Sequence, residues 1–193
     1  MLKLNKTSVV LKQETKYPWE GDVKIVVSPQ EKSSFTVKVR IPGWSLNQPL
    51  PGDLYTYTEQ SKTKPELKVN NEKVDYAIEK GYAVLSREWK NGDKIDLTLP
   101  MEVRQVKANE LVEDDRGKLA LECGPIVYCV EEVDNPEFEN LRVSEKTKFS
   151  TGFQTNLLNG VKVVNASGEL INESFTAIPY YVWNNRGANK MEY

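Results

Sequence analysis

The sequence of 193 residues contains no histidine and only two cysteines, Cys123 and Cys129. Without histidine, the chain alone has no Ser-His-Asp or Cys-His nucleophile pair, and it lacks the commonest proton-transferring and metal-binding side chain. Two thiols are also fewer than the four ligands of a structural zinc site. We therefore predict no catalytic site in this chain by itself, no metal and no other cofactor.

An excess of one charge and long apolar runs are also lacking. The 26 basic and 28 acidic residues leave a net charge of -2, which does not favour binding to nucleic acid. No apolar run approaches the roughly 20 residues that cross a bilayer. We therefore expect neither nucleic acid nor a membrane as a partner. The first residues show no apolar core of an export signal, and the compartment stays unassigned, although a periplasmic or extracellular location would suit a bacterial parent protein.

Alternation of apolar and polar residues is the pattern that the sequence has in abundance. Phe35, Val37, Val39 and Ile41 alternate with polar residues, as in a strand with one buried face. Frequent proline and glycine separate short segments of this kind, which favours an all-β fold of two antiparallel β-sandwich modules. The predicted strands cover about residues 22–28, 34–41, 82–88, 94–99, 118–123 and 125–131.

Two asparagine-containing turns predict hairpins. Asn91-Gly92 separates Ser86–Trp89 from Ile95–Leu99, and Asn-Gly is the dipeptide most typical of tight hairpin turns. Asn70-Asn71 is a weaker version of the same pattern, because asparagine adopts positive φ angles less readily than glycine does.

Gly124-Pro125 coincides with a one-residue change in the phase of the alternation, which predicts a β-bulge or a kink between sheets. If the strand continues through this point, Cys123 and Cys129 lie about 20 Å apart, too far for a disulfide. Two buried free thiols are therefore favoured, and a disulfide or a metal site remains the alternative.

A change in the residue pattern along the sequence also suggests a division into modules. We predict a first β-sandwich module at 1–108, a second at 109–174, and a C-terminal strand segment at 175–193 that could return to the first module. The polar stretch from Leu46 to Glu66 is predicted to be a long surface loop, and residues 131–160 are expected to be largely loop.

Aromatic residues are the only candidates for a site. Trp19, Trp44 and Trp89 adjoin prolines, glycines or turns, so packing explains them best. Neighbouring carboxylates such as Asp114-Asp115 do not form a glycosidase pair, because adjacent strand residues point to opposite faces. The candidates for contact with a partner or a sugar are Tyr55, Tyr57, Tyr180, Tyr181 and Trp183.

Several phrases, in order along nearly the whole chain, resemble one known family. They are Thr15–Gly21 (TKYPWEG), Arg40–Trp44 (RIPGW), Gly81–Asp93 (GYAVLSREWKNGD), Leu99–Arg104 (LPMEVR), Asp115–Glu131 (DRGKLALECGPIVYCVE) and Ala177–Gly187 (AIPYYVWNNRG). They are similar to the region that follows the catalytic domain in glycoside hydrolase family 127, which contains β-L-arabinofuranosidases and many bacterial proteins of unassigned activity.

The resemblance implies that the chemistry lies outside this chain. Family members carry the catalytic glutamate, the nucleophilic cysteine and the zinc ligands on an (α/α)6 barrel, and none of those motifs occurs here. The β-sandwich modules that follow the barrel in sequence pack on it, and in some members they contribute to dimer contacts. The prediction is a non-catalytic accessory region that braces the barrel of a glycoside hydrolase, with self-association as a further role. The alternative is a carbohydrate-binding module that recognises plant-type glycans through exposed aromatic residues.

Overall fold

The computed structural model describes residues 2–4, 7–144, 147–167, 174–188 and 190–192, and these residues form an all-β fold. Pairing between the strands is antiparallel throughout. No helix in this described part is long and apolar enough to cross a membrane. The strands are β1 (Leu2–Leu4), β2 (Thr7–Thr15), β3 (Asp22–Pro29), β4 (Ser33–Arg40), β5 (Tyr55–Tyr57), β6 (Glu66–Val69), β7 (Glu72–Lys73), β8 (Ala77–Glu79), β9 (Tyr82–Trp89), β10 (Asp93–Thr98), β11 (Val103–Ala108), β12 (Ala120–Cys123), β13 (Ile126–Glu131), β14 (Lys148–Gln154), β15 (Val161–Ser167), β16 (Phe175–Pro179) and β17 (Met191–Glu192).

The six strands predicted from alternation are confirmed as β3, β4, β9, β10, β12 and β13, each with ends within two residues of the prediction. Short 3-10 turns connect some of the strands, at Gly43–Leu46, Glu113–Asp115, Phe138–Asn140 and Tyr180–Val182. The all-β, antiparallel class that the alternation predicted is therefore the observed one.

The chain divides into two compact units. The first comprises Met1–Gln48 and Ser61–Met101, and the second comprises Pro49–Gln60 and Glu102–Tyr193. This differs from the predicted division at residue 108, because β11 pairs with β12 and β5 of the second unit. The C-terminal strand β16 also lies in the second unit, between β13 and β15, and does not return to the first.

The first unit is a sandwich of two sheets. One sheet has six strands in the order β1-β2-β3-β10-β6-β7, and the other has three in the order β4-β9-β8. Apolar side chains from both sheets form its core, with Trp89 fully buried and its indole N–H donating to the Phe35 carbonyl at 3.0 Å. Packing in the core or beside it is confirmed for Trp89 and Trp44.

The turn at Asn91-Gly92 forms, but the hairpin predicted there is wrong. β9 pairs with β4 and β8, whereas β10 pairs with β3 and β6, so the turn carries the chain from one sheet to the other. Gly92 has a φ of 86°, and its N–H donates to the Val27 carbonyl. A tight turn with positive φ serves a crossing between sheets as well as a hairpin, so local sequence does not distinguish the two.

The weaker turn, Asn70-Asn71, does close a hairpin. β6 pairs with β7, with Val69 opposite Glu72, and the two asparagines have φ angles of 53° and 68°. Two positive φ angles are typical of the turn that joins adjacent antiparallel strands. The second strand of this hairpin is Glu72–Lys73.

The second unit contains one sheet of eight strands, in the order β14-β15-β16-β13-β12-β11-β5, with β17 also paired to β13. The bulge or kink predicted at Gly124-Pro125 is a chain reversal instead: Cys123 lies opposite Ile126, so β12 and β13 form a hairpin. Gly124 has a φ of 60°, which the turn requires.

Two segments predicted as loops contain strands of this unit. β5 lies within the predicted loop between Leu46 and Glu66 and pairs with β11, with Tyr57 opposite Val106. β14 lies within residues 131–160 and pairs with β15 along seven residues. β5 has only three residues, and β14 is mostly polar and exposed, so neither gives a long apolar alternation in the sequence.

Candidate interaction surfaces

The six-stranded sheet of the first unit is wider than the three-stranded sheet that packs against it. Leu2 lies opposite Val9, and Leu11 lies opposite Val27, so both leucines face the same side as these two buried valines. Nevertheless Leu2 is 54% exposed and Leu11 is 43% exposed, and Leu4 on the same side is similarly exposed. We call Leu2, Leu4 and Leu11 the overhang leucines, because they extend the core face beyond the sandwich.

A second exposed apolar surface lies at the end of β16, in the second unit. Tyr180–Val182 forms a 3-10 turn, and the Trp183 N–H donates to the Tyr180 carbonyl at 3.0 Å. The rings of Tyr180 and Trp183 are nearly parallel, with 14° between their planes and 6.2 Å between their centroids. Tyr180, Tyr181 and Trp183 are all exposed. The structure therefore brings three of the five candidate aromatic residues together on one surface turn.

This aromatic turn is tied to the sheet by a buried carboxylate. Glu131, the last residue of β13, is fully buried and accepts the Asn184 N–H at 2.8 Å. Arg186 donates to Glu131 and also to Asp134, with its second nitrogen 2.7 Å from the Asp134 carboxylate. Hydrogen bonding to Asp134, ahead of the contact with Glu131, raises the pKa of Arg186 above its usual range. We call Glu131, Asp134 and Arg186 the carboxylate clamp.

Tyr57 is not available for contact with a partner or sugar, because it is 5% exposed. Its hydroxyl donates to Glu122 at 2.7 Å, and the Arg104 guanidinium lies 3.4 Å from its ring centroid. Burial, together with the bond to Glu122, raises the pKa of Tyr57 well above its usual range. Burial also raises the pKa of the Glu122 carboxyl. These contacts make Tyr57 part of the interior.

Tyr55 lies on the same face of β5 but nearer the surface. Its hydroxyl donates to Asp115 at 3.2 Å, and its ring lines a shallow cavity of about 220 Å³ with Leu50, Val106 and Val127. Tyr55 lies apart from the aromatic turn in the sheet order, since β5 is at the edge and β16 is four strands away. The five candidates therefore do not form a single site.

The two cysteines are free and buried, as predicted, although the reason differs. Across the β12–β13 hairpin, Cys123 faces the same side as Ile126, whereas Cys129, three residues further along β13, faces the other side. Burial raises the pKa of Cys123, and burial with the nearby Glu131 charge raises the pKa of Cys129 to about 12. Both thiols are therefore protonated and unreactive at neutral pH.

Within the described ranges, no three Cys, Asp or Glu side chains are grouped closely enough to hold a metal ion. Sequence reasoning did not identify the overhang leucines or the carboxylate clamp. Alternation along β2 is weak, and Glu131 and Arg186 are 55 residues apart. The available indication of the clamp was that Glu131 and Arg186 each lie in a phrase that resembles the family pattern.

The motifs that carry the family resemblance have structural roles here. In the first of them, a Cβ atom at Gly21 would come within 2.0 Å of the Leu99 carbonyl oxygen, so only glycine fits. In RIPGW, Arg40 donates to the Gly81 carbonyl at 2.8 Å. In the last, Arg186 completes the carboxylate clamp.

Two family models together match nearly the whole chain. Residues 1–101 match the middle domain of β-L-arabinofuranosidases of glycoside hydrolase family 127, and residues 103–193 match the C-terminal domain of that family. The chain therefore belongs to glycoside hydrolase family 127.

Named relatives agree with this assignment. The chain is 30% identical to the non-reducing end β-L-arabinofuranosidase of Bifidobacterium longum subsp. longum, over 96% of this chain and 30% of the relative. Its structure resembles a β-arabinofuranosidase of the family with a TM-score of 0.85 and 36% identity, over 99% of this chain and 32% of the other. The β-L-arabinofuranosidase of Geobacillus stearothermophilus T6 gives 0.82 and 37%, over 98% and 31%. The chain thus spans about a third of the length of these relatives.

Proposed function

We propose that this chain is the non-catalytic β region of a glycoside hydrolase and that it braces the catalytic (α/α)6 barrel of its parent protein. The family assignment and the one-third coverage of the relatives support a place beside a larger catalytic domain. The parent would act on β-L-arabinofuranosides, the substrates that the names of the relatives give. This chain would stabilise and position the barrel, and it would contribute no reacting group to catalysis.

The overhang leucines are the observation that carries the bracing role. They continue the apolar face of a sandwich core, yet Leu2 and Leu11 are about half exposed. Burying a leucine side chain contributes about 1.5–3 kcal/mol, so three of them on one face favour a covering partner. The opposite face of β2 carries Lys12 and Glu14 as an exposed ion pair, which suits contact with water. The barrel would therefore cover the leucine side of β2.

The bracing role is tested by hydrogen exchange at β1 and β2, in the chain alone and in the chain produced together with its barrel. We expect slower exchange along both strands when the barrel is present. Leu11→Ser should weaken barrel association by about tenfold or more, since burial of one leucine is lost. Val10→Ser is the matched control, because Val10 is 47% exposed on the other face of the same strand.

Three outcomes are informative. Loss of barrel association with Leu11→Ser but not with Val10→Ser supports the proposal. Equal effects of the two variants, or unchanged exchange along β1 and β2, would remove the overhang leucines from the barrel contact. Concentration-dependent pairing of the chain alone, abolished by Leu11→Ser, would assign this face to self-association instead.

A further inference from the structure

The aromatic turn differs from the overhang leucines in the chemistry of its exposed side chains. Tyr180 and Trp183 are exposed and nearly parallel, and Tyr181 beside them is 61% exposed. The residues that follow are the amides Asn184 and Asn185, and the Asn185 side chain donates to the Val182 carbonyl at 3.0 Å. The turn thus brings exposed aromatic rings and amide side chains together within a few residues, where the overhang has only aliphatic side chains.

Sugar rings fit such a surface. One face of a sugar ring carries C–H bonds with partial positive charge, and an aromatic face is the negative side of the ring quadrupole. Hydroxyl groups around the sugar edge need hydrogen-bond partners, which neighbouring amides can offer. Tyrosine and tryptophan also suit a surface that is partly wet, because each has an apolar body with one polar group.

The carboxylate clamp fixes this turn in place. Glu131 is fully buried, and Arg186 and Asp134 are about a fifth exposed. Burying a charge is costly unless it is paired, and a buried ion pair is seldom the cheapest way to gain stability. Here the pair joins the end of β13 to the residues just after Trp183, so it defines where the two rings lie. Rings that are already positioned lose little conformational entropy when a ligand binds.

We propose that Tyr180 and Trp183 form a carbohydrate-binding site for arabinofuranose-containing glycans, with Arg186 as a positioning residue that acts through Glu131 and Asp134. The choice of sugar rests on the proposed function, whereas the site itself does not. The site would hold glycan on the β region and so keep substrate near the barrel, independently of the face that contacts the barrel.

The test uses the whole chain and methyl β-L-arabinofuranoside as the probe. The tryptophans are replaced by 5-fluorotryptophan, and the fluorine resonances of the four tryptophans are followed during titration. We expect one resonance to shift, the one that disappears in Trp183→Phe. L-Arabinitol is the control ligand, because it has the hydroxyl groups of the sugar but no ring to stack.

Variants then define the site. Tyr180→Ala and Trp183→Ala should each weaken binding by about tenfold or more, as expected for central aromatic contacts, while Tyr180→Phe keeps the ring and should bind nearly as well as the original chain. Tyr82→Ala is the matched control, since Tyr82 is 41% exposed and lies in the other unit. Arg186→Lys should weaken binding and broaden the Trp183 resonance in the unliganded chain, a readout of ring position that a loss of contact alone would not change.

No shift of the Trp183 resonance with the sugar would overturn the sugar site, and so would equal shifts with L-arabinitol. Binding that survives Trp183→Ala would do the same. A Trp183 resonance that shifts only when the barrel is added would assign the aromatic turn to the barrel contact. The bracing proposal is judged separately by Leu11→Ser, so either proposal can fail while the other stands.

Discussion

The two units of this chain each bury one carboxylate at the end of a strand, and they satisfy it differently. In the first unit, Asp93 accepts the Lys90 N–H at 2.9 Å and the Asn70 amide at 3.0 Å, both neutral donors. In the second unit, Glu131 accepts the Asn184 N–H and is also paired with the charged Arg186. The first arrangement closes a local turn, and the second ties down a segment more than 50 residues away in sequence.

The difference shows how the cost of a buried charge depends on its partners. A carboxylate that accepts neutral donors keeps part of its stabilisation if one donor is lost. A carboxylate neutralised by one guanidinium is left as an uncompensated buried charge when that guanidinium is removed. The second unit should therefore be more sensitive to single substitutions at its clamp than the first unit is at its turn.

The largest expected effect is that of Arg186→Met. This substitution leaves Glu131 buried without its charged partner and should lower the free energy of unfolding by about 3 kcal/mol, measured by urea denaturation. The control is Lys190→Met, which removes an ion pair with Glu139 that is about two-thirds exposed and should cost less than about 1 kcal/mol. Similar losses in the two variants would show that the carboxylate clamp contributes no more to the free energy of unfolding than an exposed ion pair does. In a double variant, Glu131→Gln should restore part of the loss caused by Arg186→Met.

Thiol labelling provides a second measure of the clamp, since both cysteines lie in the second unit. An aromatic disulfide reagent needs the thiolate, and burial keeps the pKa of Cys129 near 12, so the folded chain should react only when it opens. Arg186→Met should accelerate labelling by about 100-fold, which corresponds to the loss of about 3 kcal/mol. Asp93→Ala should leave the rate within about twofold, because it acts in the first unit. Rapid labelling of the unmodified chain would contradict the burial of the thiols.

A smaller effect is expected for Asp93→Ala in the first unit. The substitution leaves the Lys90 N–H and the Asn70 amide without their acceptor and should cost about 2 kcal/mol in urea denaturation. A loss as large as that of Arg186→Met would remove the contrast between neutral and charged partners. The matched comparison is Asp22→Ala, since Asp22 is an exposed carboxylate of the same unit whose side chain accepts the Thr98 hydroxyl, and this change should cost less than about 1 kcal/mol.

The contribution of Asp93 to stability depends on pH, and the direction of its pKa shift defines the sign of that dependence. Burial raises the pKa of Asp93, but hydrogen bonds from Lys90 and Asn70 outweigh it and hold this pKa below its usual value of 3.8. Its contribution to stability is therefore present above that value and is lost as the pH falls through the lower, folded-state pKa. Unfolding measured as a function of pH should show this acid loss in the original chain and a flatter profile in Asp93→Asn. Identical profiles would rule out Asp93 as a source of the acid sensitivity.

The smallest effect is expected for Asn70→Gly. Glycine adopts the φ of 53° found at this position, so the turn is retained while the side-chain bonds to Asp93 and to the Lys94 N–H are lost. The free energy of unfolding should fall by about 1 kcal/mol. Asn71→Gly is the control, since that residue also has a positive φ, of 68°, and it should change stability by about 0.5 kcal/mol or less. A neutral Asn70→Gly would indicate that Lys90 alone satisfies Asp93.

Sequence patterns predicted strands better than they predicted which strands pair. Asn91-Gly92 has the stronger hairpin pattern, yet it joins two sheets, while the weaker Asn70-Asn71 closes a hairpin. Both turns need positive φ angles, and that requirement is all that the dipeptides encode. Gly124-Pro125 gave the opposite error, since the change of phase predicted a bulge or a kink between sheets and the structure has a hairpin. For β9 and β10, the choice of partner strand depends on residues far away in sequence, since β9 pairs with β4 and β10 with β3.

By itself the sequence determined the all-β class, the positions of the main strands and the membership of family 127, because alternation and recurrent phrases are local properties. The tertiary structure decided which candidate residues can meet a ligand. It buried Tyr57 against Glu122 and Arg104, and it exposed Leu11 on a face where the alternation of its own sheet places core residues. It also joined Glu131 to Arg186 and so positioned the aromatic turn. These outcomes depend on how wide each sheet is and on which strands are neighbours, and no short stretch of sequence contains that information.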